Sequence, residues 1–217
     1  MKRITESYLA QQTHLPAAGK HIIAQHDASH VWVYQAYKPS IAAFAARNQV
    51  FGGDEYSFNR MSWIKPNFLW MMYRSGWATK PGQEAILAIK IAKSHFEQIL
   101  AGAVHSSFKP DVYPTHAAWQ DALARSDVRL QWDPDHDPYG TKLDRRAIQL
   151  GLRGEVLRQF ATAWIVEMED ITPFVAEQRQ WVEARTLDKL TVPVERVYPV
   201  TDAGLAARLR LQTGTAA

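Results

Sequence analysis

The amino-acid sequence predicts one α+β domain, with a mixed or antiparallel sheet packed by helices, and three observations carry that expectation. Runs with strand periodicity and runs with helix periodicity follow one another without the strict alternation of a parallel α/β protein. A chain of 217 residues, 47% of them hydrophobic, can bury one sizeable core, and no linker-like tract divides it. One stretch, Phe68-Leu-Trp-Met-Met-Tyr73, is apolar or aromatic throughout. It is too short for a membrane span and too continuous for one face of a surface helix, so it is expected to be buried nearly all round.

Taken in order, residues 1–19 mix Gln, Thr, His and Ala without periodicity and read as a loosely held extension, with the domain proper spanning 20–200. The segments 21–25 and 31–37 are β-prone and read as a hairpin around residues 26–30. In the second strand Gln35 shares a face with Val31 and Val33. Its amide there requires a protein partner or a ligand, because a buried polar group left unmet costs roughly 1–3 kcal/mol. A helix follows, capped by Ser40 and ending at Asn48. The apolar run forms the next helix, between Asn67 and Ser75, with Pro66 suited to its first turn and Gly76 to the position just past its end. Residues 84–91 are apolar enough for a central strand. Ser94 and Glu97 match a capping box, which leaves His95 on the helix surface. A helix from Thr115, strands at 128–132 and 147–152, and helices from Gly154 and Thr172 complete the order. Gln149, like Gln35, interrupts an apolar strand, and residues 201–217 read as a frayed tail.

The functional reading centres on cations at the edges of the buried helix. Between Lys38 and Lys80, six Lys/Arg stand against Asp54 and Glu55, a local balance of +4, whereas the whole chain carries +3. Basic charge concentrated beside a rigid apolar element suits an anionic small molecule or nucleotide. Arg60, Lys65 and Arg74 are the candidate clamps, with Tyr37 close by and Tyr73 as a stacking or positioning ring. Gln83 and Glu84 stand where loop becomes strand, a place from which side chains reach into clefts, and Glu84 is the candidate base. Trp63 and Trp77 flank the helix and are candidate stacking surfaces for a base or a nicotinamide ring.

Other chemistries find little support. Without cysteine there are no disulfides, thiolate metal sites or cysteine nucleophiles. Asp133, Asp135 and Asp137 alternate as at the start of a calcium loop, but Pro138 stands where that loop needs Gly, so residues 133–138 read as a solvated turn. His21, His26 and His30 lack a zinc framework, and no metal is expected. Dinucleotide, Walker and nucleophile-elbow signatures are missing. A pI near 9.1 permits contact with nucleic acid. With no apolar run of about 18 residues, the expectation is a cytoplasmic protein without membrane contact, and nothing sets its oligomeric state.

The segments 34–37, 60–78, 80–84, 131–134 and 148–152 together resemble the family catalogued as domain of unknown function 4291, over a span from near residue 20 to near 200. That resemblance implies no activity. More distantly, residues 33–44 are similar in outline to the first core strand and following helix of ADP-ribosyltransferases, with Gln35 where that family carries Arg or His. The second resemblance implies NAD as cofactor, Tyr73 as a stacking aromatic, and Glu84 or Gln149 as the residue that holds the ribose. The leading expectation is thus an enzyme that transfers a group on a nucleotide-like or nucleic-acid substrate, ADP-ribosyltransferase-like with NAD. The alternative is a noncatalytic module that holds single-stranded nucleic acid through the same cations and Trp63 or Trp77.

Overall fold

A computed structural model describes residues 4–212. Its elements, in chain order, are β1 (Thr5–Ser7), α1 (Tyr8–Gln12), β2 (Gly19–Lys20), β3 (Ile23–Ala24), β4 (His30–Tyr37), α2 (Pro39–Asn48), β5 (Ser62–Ile64), α3 (Phe68–Ser75), β6 (Ala85–Ala92) and α4 (Lys93–Gly102). There follow β7 (Ala103–His105), α5 (His116–Arg125), β8 (Val128–His136), β9 (Lys142–Leu152), α6 (Gly154–Thr162), β10 (Ile165–Asp170), α7 (Thr172–Glu183), β11 (Thr191–Pro193), β12 (Arg196–Val197) and α8 (Ala203–Leu209). The fold is α+β.

Two sheets form the frame. One is antiparallel, in the order β10-β6-β4. The other runs β2-β9-β8-β7 with β5 also on β9, and is mixed, since β2 with β9 and β7 with β8 are parallel pairs. A two-way backbone bridge between Tyr34 and Lys65, at 2.7 and 3.2 Å, ties β4 to the segment just after β5 and so joins the sheets. Because side chains alternate along a strand, β4 and β6 present apolar residues to both sides. Val31, Val33, Leu87 and Ile89 enter a core with Phe96, Leu130 and Leu150. Tyr34, Ile86 and Ala88 face a second core with Phe68, Met71 and Met72 of α3 and Val175 of α7. Each such side chain fully buried contributes roughly 1.5–3 kcal/mol, which is why the apolar run of α3 is an anchor.

Helix α3 is bounded as its residues dictate. The Asn67 side chain accepts from the Trp70 N–H at 2.7 Å, and Gly76, at φ 59°, ends the helix in the left-handed conformation that glycine tolerates. Pro66 lies one residue before this cap, not in the first turn. The buried Glu195 carboxyl accepts from the Phe68 N–H at 2.7 Å, and desolvation pushes its pKa well above the carboxylate range.

Several expectations are corrected. Residues 5–12 are not loose: β1 pairs with β11, and Tyr8 and Gln11 are buried. The strand at 23–24 pairs with β12, and the link from this segment to β4 is a bridge at His26–Val31 with the Trp32 N–H donating to the Gln25 carbonyl at 2.9 Å and the Asp27 N–H to the His30 carbonyl at 3.0 Å. Lys38 is the cap of α2, because Pro39 already occupies its first turn, and the Ser40 hydroxyl turns to Glu55. Strand β6 runs straight into α4, so Ser94 lies inside the helix and forms no cap; His95 stacks on Trp164 at 4.9 Å. Residues 133–136 are not a solvated turn. Strand β8 continues through them, and Asp135 is fully buried against Arg145 at 2.5 Å. Ala203–Leu209 is a helix that buries Leu209, while the tail from 213 lies outside the described residues. No described helix is long and apolar enough to cross a membrane.

Candidate functional site

Where the Tyr34–Lys65 bridge brings β4, β5 and the end of α3 together, a cavity of about 700 Å³ opens. Strand β4 contributes Gln35 and Tyr37, the approach to β5 contributes Arg60, and β5 itself contributes Ser62 and Trp63. Lys65, Arg74 and Gln83 complete one wall, and Gln131 and Gln149 form another. Gln131 and Gln149 are direct cross-strand partners in the β8–β9 pairing.

The floor is polar and mostly satisfied. The Gln35 amide donates to Ser62 Oγ at 2.7 Å and to the Trp63 carbonyl at 3.1 Å, but its oxygen, buried with the rest of the side chain, has no donor. The hydroxyls of Tyr37 and Ser62 are 2.7 Å apart, and burial raises the Tyr37 pKa, so that phenol stays protonated. Asp133 is held between two amides, accepting from Gln149 at 2.7 Å and Gln131 at 3.0 Å.

The charges divide by partner. Lys38 pairs with Glu55 at 3.2 Å. Arg74 donates to Gln83 at 3.2 Å, and among the described residues no carboxylate lies within ion-pair distance of Arg60, Lys65 or Arg74. Lys65 is the unusual member. Its side chain is buried, with Nζ donating to the Trp63 carbonyl at 3.3 Å and lying 5.2 Å from the Trp70 ring centre. Desolvation, helped by the Arg74 charge and opposed by Asp133, lowers its pKa to about 7. Near neutrality this ammonium is partly a free amine, able to take a proton or attack an electrophile.

A profile of the family described as Domain of unknown function (DUF4291) matches residues 21–198. The chain belongs to that family. Every residue named above as lining this cavity falls within the DUF4291 span. No curated protein matches the chain significantly.

Three DUF4291 residues singled out in the sequence are placed elsewhere. Tyr73 is exposed, its ring stacked on His136 with centres 3.4 Å apart, and it does not line the cavity. Trp77 is buried in the second core, edge-on to Phe68, and donates to the Pro138 carbonyl at 3.1 Å. Glu84 accepts from the Gly82 N–H at 2.9 Å and is likewise outside the lining. The helix repeat explains the first: one residue is a turn of about 100°, so Arg74 faces the cavity and Tyr73 does not. Conversely, Ser62, Gln131 and Asp133 were missed, although a glutamine in each of two neighbouring strand runs was visible. Among the described residues no group of three His, Asp or Glu is placed to hold a metal ion.

Proposed function

We propose that this protein is a group-transfer enzyme whose substrate is a phosphate-bearing nucleotide held in the cavity between β4, β5 and α3. One observation carries the reading: two guanidiniums with no acid at ion-pair distance among the described residues and a near-neutral buried amine line a cavity whose one lining carboxylate, Glu55, is paired with Lys38, and whose floor ends in an undonated amide oxygen. Guanidinium groups match phosphate oxygens in bidentate geometry, which gives Arg60 and Arg74 the phosphate. The Gln35 oxygen takes a hydrogen bond from an N–H of the base or an O–H of the ribose and is thereby relieved of its unmet state. Trp63 offers a ring for stacking. Lys65 then serves as general base: it accepts the proton of the attacking group as that group bonds to the transferred centre, and the leaving group departs with the electron pair of the broken bond. Asp133, fixed by Gln131 and Gln149, favours the ammonium so formed.

NAD is the nucleotide that the similarity to ADP-ribosyltransferases suggests, and its pyrophosphate would meet the same two guanidiniums. Isothermal titration calorimetry with NAD, ATP and AMP tests the reading. The wild type is expected to bind at least one of them. An Arg60→Ala/Arg74→Ala variant, altered only at exposed side chains, is expected to bind it at least tenfold more weakly. Absence of binding by the wild type, or unchanged binding by the double variant, overturns it.

A further inference from the structure

A second cavity, of about 470 Å³, meets the first at Gln131, which lines both. Lys20, Lys109, Arg146 and Arg210 line it, and no carboxylate does. Arg210 is paired with Asp111 at 2.8 Å; among the described residues the other three cations have no acid within ion-pair distance. Lys20 and Arg146 stand directly side by side in the parallel pairing of β2 with β9. Adjacent like charges on paired strands repel, and their repulsion is relieved by an anion between them. Burial lowers the Lys20 pKa, the charges of Arg210, Lys109 and Arg146 lower it further and Asp111 opposes them, so each of the three other cations lies within electrostatic reach of Lys20. Trp132 also lines the cavity, with its indole N–H donated to the Leu209 carbonyl at 2.9 Å and its ring partly exposed.

We infer that the second cavity holds backbone phosphates of a single-stranded nucleic acid that runs on from the first cavity. The inference rests on the nucleotide reading of the first cavity and narrows its substrate from free nucleotide to a nucleotide within a strand. Four cations around a concavity, with an aromatic ring among them, are the elements that follow a phosphodiester chain. The strand must be single, because the Gln35 amide lies on a buried floor that a base reaches only when it is out of a duplex stack.

The test is fluorescence anisotropy with a labelled single-stranded 12-nucleotide RNA and the corresponding DNA between 50 and 200 mM salt, beside calorimetry with AMP. The wild type is expected to bind at least one oligonucleotide more tightly than AMP, with affinity falling steeply in salt. Lys20→Ala/Lys109→Ala/Arg146→Ala is expected to lose at least tenfold in oligonucleotide affinity. Its salt slope should fall by about two to three, roughly one for each phosphate contact removed, while AMP affinity is unchanged. Arg146→Ala alone, at an exposed side chain, should move both readouts in the same direction, which covers a failure of the triple variant to fold. Unchanged oligonucleotide binding and slope in these variants overturn the inference, as do equal losses for AMP and oligonucleotide. Equally tight binding of a 12-base-pair duplex or of a multiply phosphorylated peptide also overturns it. If AMP does not bind the wild type but the oligonucleotide does, and the triple variant loses it, the second cavity keeps its role and the nucleotide reading of the first falls.

Discussion

The cavity between β4, β5 and α3 takes Arg60, Lys65 and Arg74 from one continuous stretch that a buried helix holds in place, whereas its neighbour draws cations from positions 20, 109, 146 and 210. The first lies wholly within the matched family span of residues 21–198; Lys20 and Arg210 of the second fall just outside it. The cations of one site are therefore placed by α3 and the segment leading to it, and those of the other by tertiary pairings, chiefly β2 against β9. Damage to those pairings should separate the two sites.

The largest effect is expected from Arg145→Met. It strands the fully buried Asp135 carboxylate and removes the contacts of Arg145 to Gln12 at 3.2 Å and to the Pro16 carbonyl at 3.3 Å. Loss of one partner of a buried pair costs about 3–5 kcal/mol, read by urea denaturation. Because residues 12–20 carry Lys20, oligonucleotide binding should fall well before AMP binding does. Parallel loss of both would erase the distinction between the sites.

Lys65→Met comes next. Turnover should disappear with the fold intact, and in the wild type it should rise as pH passes about 7 and the amine becomes free. The same group shapes stability. Its folded pKa lies below its unfolded value, so between about 7 and 10.5 the unfolded chain binds more protons and stability rises with pH. That contribution is complete above the unfolded value and is lost as pH falls through 7. Urea midpoints at pH 6 and 9.5 should therefore diverge in the wild type relative to the variant; equal differences at the two pH values would show that Lys65 is not depressed.

Gln35→Met should weaken AMP binding about tenfold with a stability change within roughly 1 kcal/mol. Folding loses the bonds to Ser62 and the Trp63 carbonyl but is relieved of an unmet amide oxygen. A loss above about 3 kcal/mol would instead make the amide a structural element. The smallest effect belongs to Tyr73→Phe. The ring packs on His136 outside the lining, so AMP and oligonucleotide affinities should be unchanged and stability within about 0.5 kcal/mol.

The contrast between the cavities also explains what could be read from the chain. The bounds of α3 were legible because Asn67 and Gly76 are local signals, and the central strand because residues 85–91 are uninterrupted and small or apolar except at Lys90. Gln35 and Gln149 stood out as polar residues in apolar runs. The short strands β5, β7, β11 and β12, two or three residues each, exist only through their partners and leave no periodicity to find. Lys65, a candidate clamp, carries no local signal of burial, which depends on Trp70 and on the sheet junction. Trp77, at φ 54° after the glycine, turns back into the core, a direction that no pattern of neighbours specifies. Lys20 and Arg146 are 126 positions apart in sequence and adjacent in space.

At the amino end of α3, Glu195 already occupies the first free N–H, and Asn67 another. That pole of the helix, elsewhere a ready receptor for anions, is closed to visitors here. Arg60 and Arg74 are exposed, so each can be exchanged without disturbing the scaffold, and under the proposed reading such an exchange changes what the cavity holds while α3 stays in place.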